Sequence, residues 1–303
     1  MQFSIWPSNN HPWDAVVDLA RWADDAGWHA CWFADHYMPN APDATPLDGP
    51  VLECWSVLAA LAATTSRLRL GPLVSPTTVH HPALLAKRAC TIDQLSGGRF
   101  ALGIGAGWQE NEHAAYGIAL PEPGPRVARF AEAIEIVSRL LSEPRVSFAG
   151  ESYRLDDAPC DPKPVQSPLP IVVGTGSPRM LRLTAKWAQE WNTWGDVAEV
   201  GRRRELFLAA CDAEGRDPST VHRSVQSMVF FADDQATVDK LRAKAPDDRS
   251  IIGSASHIAE QLSELAALGS DEFILLSATL GRTPEAQREG YERFWSEVAP
   301  AVG

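Results

Sequence analysis

Ser96-Gly97-Gly98-Arg99-Phe100-Ala101-Leu102-Gly103-Ile104-Gly105-Ala106-Gly107-Trp108 reads as a tight Gly-Gly turn, a short apolar strand and a glycine-rich exit. Phe100–Ile104 carries no polar residue, as expected of a strand buried on both faces of a parallel sheet. Gly103, Gly105 and Gly107 alternate, so they share one face of an extended chain. Missing side chains along one face let something flat or bulky approach the backbone, or simply relieve crowding in a barrel. The run also invites comparison with dinucleotide-binding loops. That fingerprint requires Gly-x-Gly-x-x-Gly opening directly into a helix, with an acid about 20 residues on. Here Pro121, Pro123 and Pro125 precede the next helix, so the dinucleotide fold is rejected.

Outward from this stretch, short apolar runs alternate with longer helical patterns, which predicts parallel βαβ units. Strands are expected at 2–5, 30–34, 68–71, 100–105, 171–174, 190–193, 224–231 and 271–276. Helices are expected at 12–26, 53–64, 81–95, 126–141, 197–214, 236–245, 254–268 and 284–299, with another after Ser177. In the helix at 126–141, Val127, Phe130, Ala131, Ile134 and Val137 fall at helical spacing. The segment 143–169 breaks the alternation and reads as an excursion carrying a small hairpin, not a domain boundary. Eight strands and at least eight helices predict an α/β fold, a (β/α)8 TIM barrel with insertions, as one domain over 1–303.

The balance of 27 basic and 39 acidic residues gives a net charge of −12, with no basic run, which argues against nucleic-acid or anionic-membrane partners. Cys31, Cys54, Cys90, Cys160 and Cys211 are scattered and odd in number, which fits a reducing cytoplasm and no disulfide framework. His11, His29, His222 and His257 show no ligand spacing, and no metal is expected. The N-terminal residues show no signal core, and no segment reaches membrane-spanning length.

Barrel active sites lie at the C-terminal ends of the strands. There the sequence places Trp6, Asp35-His36, Gly71–Ser75, Ala106-Gly107-Trp108, Gly174–Ser177, Thr193–Gly195 and Ser277. An imidazole after an apolar strand can move a proton during catalysis, since it titrates near neutrality, or can simply be hydrogen-bonded at the rim. Gly174-Thr175-Gly176-Ser177 precedes a helix, where free N–H groups and hydroxyls bind phosphate, and where Ser177 can also act as N-cap. Arg179 and Arg182 are near it in sequence. Trp6, Trp108 and Trp194 can flank a planar ring, whereas Trp22, Trp28 and Trp187 read as helix-packing residues. Glu53 with Trp55, or Glu112 with His113, can line the substrate side or serve a structural role.

The wider block resembles the bacterial-luciferase-like family, and most closely its coenzyme F420-dependent oxidoreductases. The resemblance is carried by His81-Pro82-Ala83-Leu84-Leu85-Ala86-Lys87, Asp93–Arg99, the glycine strand, Glu112–Ile118, Pro162-Lys163-Pro164-Val165-Gln166 and Pro170–Gly174. It implies a barrel holding coenzyme F420, with FMN as the alternative, and hydride transfer to or from a small organic substrate. Asp35-His36 matches the family's Asp-His pair, with His36 catalytic. Leu73-Val74 matches a bulge, often a cis peptide, that supports the cofactor ring; an ordinary trans bend after Pro72 is the other reading. Gly105, Ala106, Gly107 and Trp108, with Gly174, Thr175, Gly176 and Ser177, match cofactor-binding positions, and Trp6, Glu53 and Trp194 are expected on the substrate side. Some sugar-phosphate-oxidising members carry Glu directly after the glycine run; here it is Trp108. Arg before the His-Pro pair is replaced by His80. The alternatives are an FMN-dependent monooxygenase and a non-catalytic flavin-binding protein. The resemblance further implies a homodimer.

Overall fold

Along β1 (Gln2–Trp6) Phe3 and Ile5 point outward into the helical layer, while Ser4 and Trp6 point into the barrel. The same alternation runs through β2 (Ala30–Phe33), where Cys31 and Phe33 face helices and Ala30 and Trp32 face inward. Period-two alternation with both faces apolar is what buries a parallel sheet between helices and its own lumen. The computed structural model describes residues 1–302.

After α1 (Trp13–Ala26) and β2 come α2 (Cys54–Thr64), β3 (Arg69–Pro72), β4 (Ser75–Pro76), α3 (Pro82–Ser96), β5 (Leu102–Gly105), α4 (Glu110–Ala115) and α5 (Pro123–Ser142). A hairpin of β6 (Arg145–Ala149) and β7 (Arg154–Pro159) leads to β8 (Ile171–Gly174), α6 (Pro178–Trp187), β9 (Glu190–Trp194), α7 (Val197–Glu214) and β10 (His222–Phe231). The chain ends with α8 (Gln235–Arg242), β11 (Ser250–Gly253), α9 (Ala255–Ala267), β12 (Glu272–Leu276) and α10 (Pro284–Arg293). The strands pair in parallel in the order β3-β2-β1-β12-β10-β9-β8-β5-β4. β3 and β4 are one stave broken by Leu73-Val74, so eight staves surround the lumen. The start of β5 bonds to β3, Ala101 N–H donating to Leu70 O at 2.8 Å, and its end pairs with β4. The expected barrel and its hairpin excursion are therefore present.

Three short elements fall where the sequence reading has loops. β4 is a two-residue strand, too short for any periodic signal. α4 lies inside the expected loop 109–125, and its six residues span fewer than two turns. β11 pairs with the outer half of β10, Met228 to Phe231, beyond the barrel wall. It consists of Ser-Ile-Ile-Gly, and only its partner makes it a strand.

The opening stretch stitches the fold together. Gly97 (φ 67°) and Gly98 (φ 89°) end α3, Gly98 N–H donating to Asp93 O at 2.9 Å. Arg99 satisfies the last carbonyls of α2 at Ala62 and Thr65, both at 2.9 Å. Gln166 bonds Asp93 Oδ1 at 2.7 Å and Phe100 O at 2.6 Å, which ties the Pro-Lys-Pro-Val-Gln segment to the same place. At the N-terminal mouth the lumen is closed by charge. Arg69 pairs with Glu190, and buried Glu272 accepts from Trp32 Nε1 at 2.7 Å and contacts His222 Nε2 at 3.1 Å. His29 joins His222 and Glu272 there, although their sequence spacing gives no hint of it. Among the described residues, no helix is long and apolar enough to cross a membrane.

Candidate active site

The alternating glycines explain how the C-terminal mouth is built. A Cβ at Gly103 would lie 1.9 Å from Pro72 O, and one at Gly105 would lie 2.7 Å from Val74 Cγ2. A Cβ at Gly174 would touch Val74 at 3.4 Å. The bulky group admitted by the missing side chains is thus the Leu73-Val74 bulge, whose peptide is cis. Gly107 (φ 89°) instead makes room for Thr78, whose Oγ1 would lie 2.3 Å from its Cβ. The glycines relieve crowding, and by doing so they let Val74 reach the mouth.

Val74, Gly105, Ala106 and Gly174 form the floor of a cavity of about 340 Å³. Its walls include His36, Trp108, Val127 and Met180, and one end carries Arg126, Thr175 and Ser177. That end is the start of α6, where Pro178 occupies the first turn and the Ser177 side chain makes no capping bond. Ser177 N–H donates to Thr175 Oγ1 at 3.2 Å, which shapes the turn. Such a helix start, with hydroxyls and a guanidinium beside it, suits an anion. The cation there is Arg126 from α5, which the sequence reading did not single out. Arg179 bonds Gly124 O at 3.3 Å and Arg182 pairs with Glu214 at 3.2 Å, so both are occupied elsewhere. Gly176 packs against Arg203 rather than the cavity.

A second cavity, of about 470 Å³, lies on the other side of His36 and Trp108, which line both. Trp6 lines it, with the Trp194 ring 5.9 Å away. Trp108 stands 57% exposed with its ring edge-on to His36, centroids 5.3 Å apart.

His36 is held from behind. Its Nδ1 lies 3.0 Å from Glu112 Oε1, and Glu112 Oε2 accepts from Tyr37 N–H at 3.0 Å. Glu112 is buried, on the short helix α4. A carboxylate can only accept, so Nδ1 carries the proton and Nε2 is the free ring nitrogen. His113 plays a different part. It bonds Thr78 Oγ1 at 2.8 Å and Gln109 O at 2.6 Å, fixing the loop around Gly107.

Asp35 and Glu53 do not reach either cavity. Asp35 is buried and contacts Trp55 Nε1 (3.1 Å), Ser75 Oγ (2.5 Å) and His80 Nε2 (2.9 Å). Burial pushes its carboxyl up, but the hydrogen bond and charge of His80, then Ser75 and Trp55, hold it below the usual carboxylate range. It ties β2 to the β4 half of the broken stave. Arg88 Nη1 lies 3.2 Å from His80 Nδ1, so the network runs outward to α3. Glu53 caps α2, accepting from Trp55 N–H at 3.1 Å and Ser56 N–H at 2.7 Å.

An apolar floor, a helix start with hydroxyls and Arg126 beside it, and a backed imidazole lie together at the C-terminal mouth of this α/β barrel, an arrangement suited to a ring cofactor with an anionic tail. The model of the luciferase-like monooxygenase family matches residues 1–245, and the chain belongs to that family. It is 32% identical over 241 residues to an F420-dependent glucose-6-phosphate dehydrogenase of Kineococcus radiotolerans, covering 76% of this chain and 68% of that one. It is 30% identical over 224 residues to an F420-dependent hydroxymycolic acid dehydrogenase of Mycobacterium tuberculosis, covering 74% of this chain and 61% of that one. A solved F420-dependent secondary alcohol dehydrogenase, in complex with an F420-acetone adduct, matches with a TM-score of 0.84 at 18% identity, covering 100% of this chain and 99% of that one. That last likeness shows the fold.

Proposed function

We propose that this chain is an oxidoreductase transferring a hydride between coenzyme F420 and a small organic substrate, with His36 as acid or base. The observation that carries this reading is the shared wall. His36 lines both a cavity whose lining runs from apolar residues to Arg126, Thr175 and Ser177, and a second cavity with room for a substrate. The names of the two sequence relatives favour F420 over FMN. When bound, the deazaflavin supplies a hydride donor or acceptor and does not activate oxygen as a reduced flavin does.

The chain's own residues have separable roles. Val74, raised on the Leu73-Val74 bulge, would support the ring, with Gly105, Ala106 and Gly107 beside it. Thr175, Ser177, Arg126 and the start of α6 would hold the anionic tail. Glu112 keeps the His36 proton on Nδ1, so Nε2 can take a proton from a substrate hydroxyl or, once protonated, return it. Trp108 and Trp6 would offer aromatic surface to the substrate.

A parallel fluorescence titration of the purified protein with coenzyme F420 and with FMN tests the cofactor. Selective F420 binding is expected. Selective FMN binding, with oxygen uptake in the presence of a flavin reductase, favours an FMN-dependent luciferase-like monooxygenase. Binding without any substrate-dependent redox change favours a non-catalytic flavin-binding protein.

A further inference from the structure

The second cavity differs from the first in its charge. It is walled by Trp6, Met38, Pro39, Trp108 and Leu276, and its remaining polar lining is amides and hydroxyls. Among the described residues, His36 is the only titratable side chain that lines it, and no Lys or Arg does. The cation of the mouth, Arg126, lines the other cavity. A phosphate moved from water into this space would lose hydration with no guanidinium or ammonium to replace it. A neutral apolar molecule loses little on the same transfer and gains the indole faces. Trp108 adds aromatic surface immediately beside His36.

From this we infer that the second cavity binds a neutral, largely apolar alcohol or its carbonyl partner, and that it rejects phosphorylated sugars. The inference rests on the oxidoreductase reading above. In the oxidising direction the alcohol carbon would lose its C–H hydride, for which a bound deazaflavin would be the acceptor, and the hydroxyl proton would go to His36 Nε2. The C–H and O–H bonds break and a C=O bond forms; carbonyl reduction is the reverse. A relative named for glucose 6-phosphate binds an anion for which this cavity has no counter-charge.

The test is calorimetric binding of cyclohexanone and of glucose 6-phosphate to the F420-loaded protein, alongside turnover of cyclohexanol and glucose 6-phosphate. Cyclohexanone is expected to bind at least tenfold more tightly than the sugar phosphate, with little change between low and high salt. Trp6→Ala should weaken that binding at least fivefold, and Trp6→Phe should restore most of it. Equal or tighter binding of glucose 6-phosphate overturns the inference. So does failure of both cyclohexanone and cyclohexanol to bind a protein that holds F420, an outcome that leaves the cofactor reading standing. Failure to bind F420 itself strikes the oxidoreductase reading; cyclohexanone binding to the unloaded protein, weakened by Trp6→Ala, then still supports the cavity's specificity.

Discussion

At the scale of single residues, the site depends on which atom of each ring is free. In the proposed reaction His36 would act through Nε2, because Glu112 occupies its Nδ1 at 3.0 Å. His36→Ala should lower kcat by about 10²–10⁴-fold, the contribution of a positioned acid or base, and leave F420 affinity nearly unchanged in a fluorescence titration. Glu112→Gln removes the charge behind the ring while keeping its shape. A hydrogen bond to a charged group contributes about 1.5–3 kcal/mol, so kcat should fall about 10- to 100-fold in steady-state assays with KM little altered. A KM increase without loss of kcat would mean that Glu112 only shapes the loop. Asp35 belongs to another layer. It holds Trp55, Ser75 and His80 together, so Asp35→Asn should show first as lost stability.

At the scale of elements, the broken stave and the glycine strand depend on each other. Gly103→Ala drives a Cβ to 1.9 Å from a backbone oxygen, so strands must separate. Overpacking of this kind costs about 1–3 kcal/mol or more, measurable by urea unfolding. Gly105→Ala meets only the far end of Val74, at 2.7 Å, and should push that side chain into the cavity. It should weaken F420 binding in titrations with a smaller loss of stability. Gly97→Ala is the control, since nothing lies within 4 Å of its Cβ and only the positive φ is strained.

At the scale of the whole molecule, the cavities and a buried charge network occupy opposite ends of the barrel. The C-terminal mouth holds the cavities, and the N-terminal mouth holds Arg69, Glu190, Glu272 and His222. Burial pushes the Glu272 carboxyl up, but the His222 hydrogen bond and the charges of His29 and Arg69 bring it from 4.5 down to about 2. A folded value below the unfolded one stabilises fully above about pH 4.5, and that stability is lost as the pH falls through about 2. The contribution is about 3 kcal/mol for a shift of this size. Glu272→Gln should therefore flatten the acid limb of the stability–pH curve between those values, as read by urea midpoints at each pH. An unchanged acid limb would place the acid sensitivity elsewhere.

Local pattern by itself determined the α/β alternation, the eight staves, the hairpin excursion and the turn at Gly97-Gly98, because burial with period 2 or 3.6 is written residue by residue. The resemblance carried by residues 81–118 and 162–174 pointed further, to His36 and to the Leu73-Val74 bulge. Only the tertiary structure decided what the glycines face, that Glu112 backs His36, that Arg126 and not Arg179 lines the cavity with Thr175 and Ser177, and that Asp35 and Glu53 stay out of the cavities. It alone brought His29, His222 and Glu272 together, and the Cys90 and Cys160 sulfurs to 3.7 Å. Each of these is a contact between segments far apart in the chain. A sequence states the chemistry of such partners but not their meeting, which the closing of the barrel imposes.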